Sequence, residues 1–581
     1  MKVRLARTAG FCMGVRRAME LALSTVHDQP GDICTYGPLI HNPQVLDLLA
    51  GKGIRVVREI PPPGSVQGGT AIIRAHGVPP QDKQRLQAAG FSQVVDGTCP
   101  RVIRVQAIIR RAARRGSAVV IVGDPEHPEV VGLKAHAEEM GWVVNRPEEV
   151  GGLPHLERVV AVAQTTQSQS LFEEVIAQLT RRFGPVEVHD TICEATHRRQ
   201  DEVLRLASEV DGVVVVGGRD SGNTKRLAQL AAQGGRPAFL VETEADLDRA
   251  RLAELGSVGV TAGASTPNWM IKKVVRELGA IRSRGEGGLA FWLRRVFRFL
   301  VRSQFIVAGG AAGMALASSL LQGIRPSPVL VGAAFFYIYA MHILNHFLDK
   351  EAGQYNEPDR AQFLAKHHAF LIGSGVLSAA AALVLCALLG HLAFLLVLLM
   401  SALGLLYSVP VIPARLERRI RIQSLKDIPG SKTISAALAW AFIVAVLPAL
   451  AVGRVEPLTT GLAFGYTLLL VFVRCALFDI LDVQGDLIVG KETIPIVLGE
   501  AKTRHLLYSL TLGLAAALIL APLSGAVPSL SWLLVLPVAG LAAMQVVLER
   551  SLMMPGAPSE GLVDLNFWLA GALALAWSFL F

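Results

Sequence analysis

Three cysteines, three histidines and three aspartates hold most of the chemistry this sequence offers. Cys12 stands in Gly-Phe-Cys-Met-Gly, Cys99 in Asp-Gly-Thr-Cys-Pro and Cys193 in Asp-Thr-Ile-Cys-Glu-Ala-Thr, at steps of 87 and 94 residues. Each setting reads as a turn near a helix start. Thiols this far apart in a reducing compartment serve as metal ligands, nucleophiles or core residues more often than as disulfides. Three α/β lobes of similar length, each giving one thiolate to a central point, satisfy the spacing. Three thiolates suit a 4Fe-4S cluster with one iron left open to substrate; three unrelated structural cysteines are the plainer reading. His41, His76 and His127 also sit beside Gly or Pro turns, where a cluster of imidazoles would hold either a diphosphate or a metal ion. Asp220-Ser-Gly-Asn-Thr-Lys225 and Thr261-Ala-Gly-Ala-Ser-Thr266 look like anion-binding loops at helix N-termini, although such turns also cap helices. Far downstream, Asp479, Asp482 and Asp486 fall at i, i+3 and i+7, one face of a helix. Carboxylates so placed repel unless they hold a cation, and hard oxygen ligands suit Mg²⁺ bridging to a diphosphate. A solvated Asp-rich loop is the competing account.

The elements that must position these residues change character along the chain. Residues 1 to about 280 alternate short apolar strands (Ser117–Gly123, Val159–Ala163, Val213–Gly217) with helical patterns (Pro100–Arg115, Leu171–Phe183), which predicts an α/β architecture with parallel sheets. From 303 onward nine apolar spans follow, near 303–322, 327–347, 369–389, 391–408, 433–452, 458–478, 503–523, 529–548 and 562–581, each long enough for a bilayer core. They account for the mean hydropathy of +0.44. Between the two parts, Arg282 to Arg302 carries six Arg and one Glu, with Leu289, Trp292, Leu293, Val296, Phe297 and Leu300 at helical spacing, a pattern suited to an anionic membrane surface. The expected organisation is therefore 1–280, a basic amphipathic linker 281–302, and a membrane domain 303–581.

The charge pattern points to a membrane and not to nucleic acid. Of the formal net charge of +9, only +1 lies beyond residue 302, and no interleaved basic and aromatic patch is present to meet bases. The N-terminus lacks the apolar core of a signal peptide, so the first part is expected in the cytoplasm. Basic residues crowd the loops that would then face inward, while Arg325 and Arg454 are the ones facing out, which agrees with that orientation.

Read together, GFCMGVRRA, YGPLIHNPQV, RAHGVPP, DGTCPRV, HPEVVG, QTTQS, DTICEAT, SGNTKRL and TAGASTP make residues 1–280 resemble 4-hydroxy-3-methylbut-2-enyl diphosphate reductase, the last enzyme of the methylerythritol phosphate route to isoprenoids. The resemblance implies three α/β lobes around a 4Fe-4S cluster held by Cys12, Cys99 and Cys193. It implies a diphosphate site of His41, His76, His127, Ser221, Asn223 and Ser265, and a proton relay through Glu129 helped by Thr165. An external donor such as ferredoxin or flavodoxin would supply two electrons. Many relatives have Ser-Ser-Asn where this chain has Ser221-Gly222-Asn223, so one hydroxyl is replaced here by the Gly222 amide.

The second part resembles the intramembrane prenyltransferases typified by 4-hydroxybenzoate polyprenyltransferase. The resemblance rests on two acidic clusters, Asn345 to Glu351 with Asn356 to Arg360, and Asp479 to Asp486, and on Leu406-Tyr-Ser408 and Lys426-Asp-Ile-Pro-Gly-Ser-Lys432 between them. It implies an all-α polytopic domain of about nine transmembrane helices. Mg²⁺ would be held by Asp349, Asp479, Asp482 and Asp486, with Asn345, Arg360, Lys432 and Lys491 touching an isoprenoid diphosphate. His346 and Gly353 replace two acids of the family's usual first motif. A multidomain, bifunctional enzyme in the cytoplasmic membrane is the expectation. The alternative is an active reductase on a catalytically silent anchor or lipid-binding domain. A zinc protein is the rival for the first part, and the prenyl acceptor is not legible.

Overall fold

Parallel strands need long crossovers, and this chain supplies them with helices in a repeated order. The computed structural model describes residues 1–28, 31–281, 287–348, 350–408, 428–550 and 556–580. It contains two compact units, Met1–Glu286 and Gly287–Phe581.

The first unit opens with β1 (Lys2–Leu5) and α1 (Met13–Asp28). A lobe then runs β2 (Ile33–Tyr36), α2 (Pro43–Gly51), β3 (Ile54–Val57), β4 (Thr70–Ile73), α3 (Pro80–Ala88), β5 (Gln93–Asp96) and leads into α4 (Pro100–Arg114). The next repeats the pattern with β6 (Ala118–Val122), α5 (Pro128–His136), β7 (Gly141–Val144), β8 (Val159–Ala163), α6 (Gln169–Phe183), β9 (Val186–His189) and α7 (Glu194–Glu209). The last comprises β10 (Gly212–Val216), α8 (Gly222–Gln233), β11 (Ala238–Val241), α9 (Arg249–Ala253), β12 (Ser257–Ala262) and α10 (Asn268–Ala280). Each lobe forms a four-stranded sheet, ordered β3-β2-β4-β5, β7-β6-β8-β9 and β11-β10-β12-β1, with every pairing parallel. The third lobe therefore borrows the first strand of the chain as its fourth. The central strands β4, β6, β8 and β10 are buried along their whole length, as continuous Val/Ile/Ala runs in a parallel sheet require. The expected strands and helices of this half all appear, within two residues of their predicted ends.

The second unit is helical. It contains α11 (Gly288–Arg302), α12 (Phe305–Leu321), α13 (Pro328–Leu348), α14 (Lys350–Asn356), α15 (Pro358–Lys366), α16 (His368–Leu389), α17 (His391–Ser408) and α18 (Ser431–Ala441). A π-helical turn at Phe442–Val446 joins α18 to α19 (Leu447–Val452). There follow α20 (Pro457–Val489), α21 (Ile494–Leu498), α22 (Glu500–Leu520), α23 (Leu530–Leu533), α24 (Val535–Glu549) and α25 (Ala557–Leu580). All nine apolar stretches are helical among the described residues. Among the described residues seven helices are long and apolar enough to cross a membrane, or eight if α11 and α12, bent by 69°, are one broken span. The fourth stretch, His391–Tyr407, is a shorter apolar helix; at 1.5 Å per residue it reaches about 26 Å, less than a hydrocarbon core of about 30 Å.

The 33 residues of α20 extend for about 50 Å. The helix thus continues through the acidic motif, which is not a solvated loop: Asp479 and Asp486 are 6% and 1% exposed. At the other contact that organises the bundle, α12 meets α25 through small residues. A Cβ placed on Gly571 would lie 2.5 Å from the Gly313 Cα and 2.9 Å from its carbonyl oxygen. Close backbone approach of this kind replaces the hydrophobic drive that lipid removes. Gly571→Ala is therefore expected to cost about 1–3 kcal/mol. It should lower the melting temperature of the helical unit in detergent, with Gly465→Ala, whose added Cβ meets open space, as the silent control.

Candidate functional site

In open parallel sheets, polar chemistry collects beyond the carboxyl ends of the strands, and here every singled-out residue of the first unit lies there. The fourth strands, all at sheet edges, lead to the cysteines: β1 to Cys12, β5 to Cys99, β9 to Cys193. The adjacent inner strands lead to the loops that carry Ser265 (after β12), His76 (after β4) and Thr165 (after β8). One backbone hydrogen bond joins each pair. The Cys12 amide donates to the Ala264 carbonyl at 3.1 Å, the Cys99 amide to Ala75 at 2.9 Å, and the Cys193 amide to Thr165 at 2.8 Å. The repeated topology thus fixes each thiol beside a substrate-type loop.

All three thiols stand at helix N-termini, where amide dipoles favour negative charge. Cys99 and Cys193 are the N-cap residues of α4 and α7, and the Val15 amide of α1 donates to the Cys12 Sγ at 3.5 Å. A Cβ on Gly14 would sit 2.4 Å from the Cys99 Sγ, so α1 reaches the second cysteine through a residue without a side chain. Burial pushes the Cys99 thiol up, opposed by the Arg101 and Val102 amides and reinforced by Cys12 and Cys193. Cys12 and Cys193 thus lie within electrostatic reach of Cys99. A soft all-thiolate donor set with glycine clearance fits an iron–sulfur core.

His41, His76 and His127 come from three different loops, with ring centroids 4.7, 5.7 and 5.4 Å apart. One ligand nitrogen from each lies within 4.8 Å of the others. Burial lowers all three: His76 falls well below its ordinary value, and His127 is pushed down to about 4, with His41 and Arg74 nearby adding to the effect. His127 caps α5 by accepting the Glu129 amide at its Nδ1, 3.2 Å away, which leaves Nε2–H as the donor. His41 Nε2 and His76 Nδ1 are buried without a partner, as is Asn223 Nδ2. Ser265 Oγ donates to the His41 carbonyl at 3.1 Å, and Ser221 caps α8 through the Thr224 amide. Orphaned donors, neutral imidazoles and a helix N-terminus make a cradle for an anion with many oxygens.

Beside His127, Glu129 is 2% exposed and receives the Thr165 amide at 2.7 Å and the Thr165 hydroxyl at 2.9 Å. Burial outweighs both bonds and raises its carboxyl to about 7. A buried acid that still holds its proton near neutrality is suited to proton donation.

In the second unit the described acids of α20 face a separate centre. Asp479 accepts a short hydrogen bond from the Thr433 hydroxyl, and Asp486 accepts from the Asn356 amide at 2.8 Å. Lys432 and Lys491 both lie within electrostatic reach of Asp479 and Asp486, and Asp482 faces Asp479. Buried carboxylates flanked by two lysines give the hard oxygen donors that Mg²⁺ takes, together with cations for a diphosphate. Arg360 is placed otherwise. Its guanidinium is held by Glu357 and Glu560 and lies 3.5 Å from His346 Nε2, which in turn is 3.3 Å from the Gln304 amide nitrogen. The first motif thus surrounds His346 with an arginine and an amide. Asn345 is exposed on α13. Asp349 and the Lys426 loop lie outside the described residues, as does the side chain of Glu351.

Spacing did not single out Thr433, Arg199, or the buried pair Arg474–Asp564 at 2.6 Å. Thr433 and Asp564 are ordinary residues within apolar runs, and nothing in sequence marks them.

Comparison with known proteins matches the two halves of the chain to different families. Residues 3–279 match the LytB protein family, and residues 306–579 match the UbiA prenyltransferase family. The 4-hydroxy-3-methylbut-2-enyl diphosphate reductase of Geobacter sulfurreducens is 41% identical over 290 residues, covering 49% of this chain and 100% of the relative. That of Oleidesulfovibrio alaskensis is 43% identical over 284 residues, covering 48% and 100%. Among solved structures, a reductase of that name is 37% identical with a TM-score of 0.40, covering 48% of this chain and 100% of the other. A UbiA homolog from Archaeoglobus fulgidus, bound to GPP and Mg²⁺, is 14% identical with a TM-score of 0.36, covering 48% and 98%.

The Glu129 geometry sets a pH test. A carboxyl raised from 4.5 to about 7 on folding favours the folded state at acid pH, and that contribution is lost as pH rises through about 7. Glu129→Gln removes this slope. Thermal melts of the two proteins at matched pH should show the variant gaining on the wild type between about pH 4.5 and 7, and levelling off above it.

Proposed function

Through residues 3–279 the chain belongs to the LytB family of 4-hydroxy-3-methylbut-2-enyl diphosphate reductases, and from that premise we propose a bifunctional isoprenoid enzyme. The first activity removes the hydroxyl of 4-hydroxy-3-methylbut-2-enyl diphosphate as water, with two electrons and two protons taken up. The products are isopentenyl and dimethylallyl diphosphate. The observation that supports this reading most is the joining of three cysteine amides to three substrate-type loops at the strand ends.

Cys12, Cys99 and Cys193 would hold the 4Fe-4S cluster, which when bound supplies the electrons and an open iron for the substrate hydroxyl. His41, His76 and His127, with Ser221, Asn223 and Ser265, bind the diphosphate through N–H and O–H donors. Glu129 holds a proton at its carboxyl, steadied by Thr165, and releases it to the departing hydroxyl. A one-electron donor of the ferredoxin or flavodoxin class is the external reductant. A cluster and not zinc is the assignment, and purified protein should show broad visible absorbance with iron and sulfide in near-equal amounts; zinc alone would overturn it.

The second activity transfers a prenyl group to an acceptor in the membrane, through the UbiA prenyltransferase domain. Asp479, Asp482 and Asp486, with Asp349 outside the described residues as a further candidate, would hold Mg²⁺, which when bound would stabilise the departing diphosphate, and Lys432 and Lys491 would bind that diphosphate. Arg360, engaged by Glu357 and Glu560, braces the first motif against α25. Exposed Leu289, Trp292 and Leu293 on α11, beside its arginines, support a helix lying among anionic headgroups on the cytoplasmic side.

Asp479→Asn combined with Asp482→Asn should lower Mg²⁺-dependent prenyl transfer on the order of 100-fold or more and leave the reductase rate unchanged. Equal transfer by the variant would overturn the metal assignment to these acids, and no Mg²⁺-dependent transfer by the wild type would favour the silent-anchor reading. In the reductase, a Cβ on Gly222 meets open space. Gly222→Ser should be accepted without loss of stability and, by adding a hydroxyl at the diphosphate loop, lower KM with kcat unchanged.

A further inference from the structure

Among the described residues of the first unit, Glu129 and Arg199 are the charged side chains buried most deeply, at 2% and 5% exposure. The proposed relay uses Glu129, whereas Arg199 has no part in it. Arg199 lies on α7, six residues after Cys193, on the helix that Cys193 caps. Its Nη2 donates to the Gly10 carbonyl at 2.6 Å and its Nη1 to the Ala195 carbonyl at 3.1 Å. Gly10 is two residues before Cys12 and Ala195 two after Cys193, so the guanidinium bridges the backbone flanking two of the three cysteines. Nε is buried and has no partner. Arg199 forms no ion pair among the described residues. The ionisable groups that face it are Cys12, Cys193 and Glu202, and the Glu202 oxygens already accept the Arg7 and Thr8 amides at 2.8 Å each.

A buried guanidinium whose near partners are neutral carbonyls is costly unless a compensating negative charge is at hand. The two thiols supply one only when deprotonated, as ligands are. Arginine stays charged throughout the working range of any such centre. A fixed positive charge next to a redox group favours whichever state is more negative, and charge and hydrogen bonds around the sulfurs are among the levers that set iron–sulfur potentials.

We propose that Arg199 is the built-in counter-charge of the three-cysteine centre and sets its reduction potential. The inference rests on the reductase reading of the first unit. An external low-potential donor of the ferredoxin or flavodoxin class gives up one electron and is oxidised. That electron adds one negative charge to the centre, no covalent bond changes, and Arg199 offsets the added charge from the side of Cys12 and Cys193. Arg199 is thus a positioning and tuning residue, without contact to the substrate's reacting atoms. Glu202, close to the same guanidinium, opposes it.

The experiment is a dye-mediated redox titration, followed by electron paramagnetic resonance, of the full chain purified anaerobically in detergent. Arg199→Gln should lower the midpoint so that the reduced fraction at fixed potential falls about tenfold, a shift of about 59 mV for one electron. Arg199→Lys should recover most of the loss. Glu202→Gln should move the midpoint the opposite way. Iron and sulfide contents are measured alongside. If Arg199→Gln keeps its iron and titrates with the wild type, the proposal is overturned. If that variant loses its iron, Glu202→Gln decides: an unchanged midpoint overturns the proposal and an upward shift supports it. A wild type that holds no iron would instead sink the reductase reading beneath it.

Discussion

Three backbone hydrogen bonds tie the first unit together. In each lobe, the amide of a cysteine at the end of an edge strand donates to a carbonyl in the loop after the neighbouring inner strand. Parallel pairing makes this contact repeatable, because it places the carboxyl ends of adjacent strands side by side. An antiparallel neighbour would put an amino end there and leave the cysteine without a loop to hold. The consequence is that the metal-type centre and the anion cradle cannot drift apart without breaking a sheet. The order of the third sheet makes the same point. It recruits β1 from the far end of the unit, so Cys12 reaches the centre in the same register as its two counterparts.

Electrostatics explains why so many turns and helix starts gather there. A hollow suited to anionic groups must be lined with positive ends and donors. The N-termini of α1, α4, α5, α7 and α8 provide these without mobile side chains. Burial and one another's company push the histidines towards their neutral forms. They can therefore lie within hydrogen-bonding distance of one anion without repelling each other first. Glu129 is shifted in the other direction by the same burial, and holds its proton where a carboxylate would repel the substrate.

The helical unit meets a comparable need in lipid, where unpaired charge is more costly still. Its acids on α20 are met by Thr433, Asn356, Lys432 and Lys491. A second set, Arg360 with Glu357 and Glu560, and Arg474 with Asp564, is neutralised within the bundle. The two sets divide the polar residues between acids met by hydroxyl, amide and lysine groups and acids paired directly with arginines. His346, beside Arg360 and Gln304, belongs to the second. This placement is the physical form of the altered first motif.

Amino-acid order alone determined the class of each half and which residues are candidates for its chemistry. Cys12, Cys99 and Cys193 announce themselves through Gly, Pro and Thr turns, and the three buried Val/Ile runs at β6, β8 and β10 can only be inner strands. The i, i+3, i+7 spacing of Asp479, Asp482 and Asp486 requires one helical face, because helical geometry is local. Tertiary structure alone decided which groups oppose one another. Arg199 lies among ordinary charged helix residues in sequence and becomes a buried cation only when α7 closes over Gly10, 189 residues earlier. Thr433, Asn356 and Glu560 find their partners 46, 130 and 200 residues away. The 69° bend between α11 and α12 is likewise a feature that hydropathy does not register. Periodicity reports the face a residue occupies, whereas partner, burial and charge compensation are properties of the packed chain.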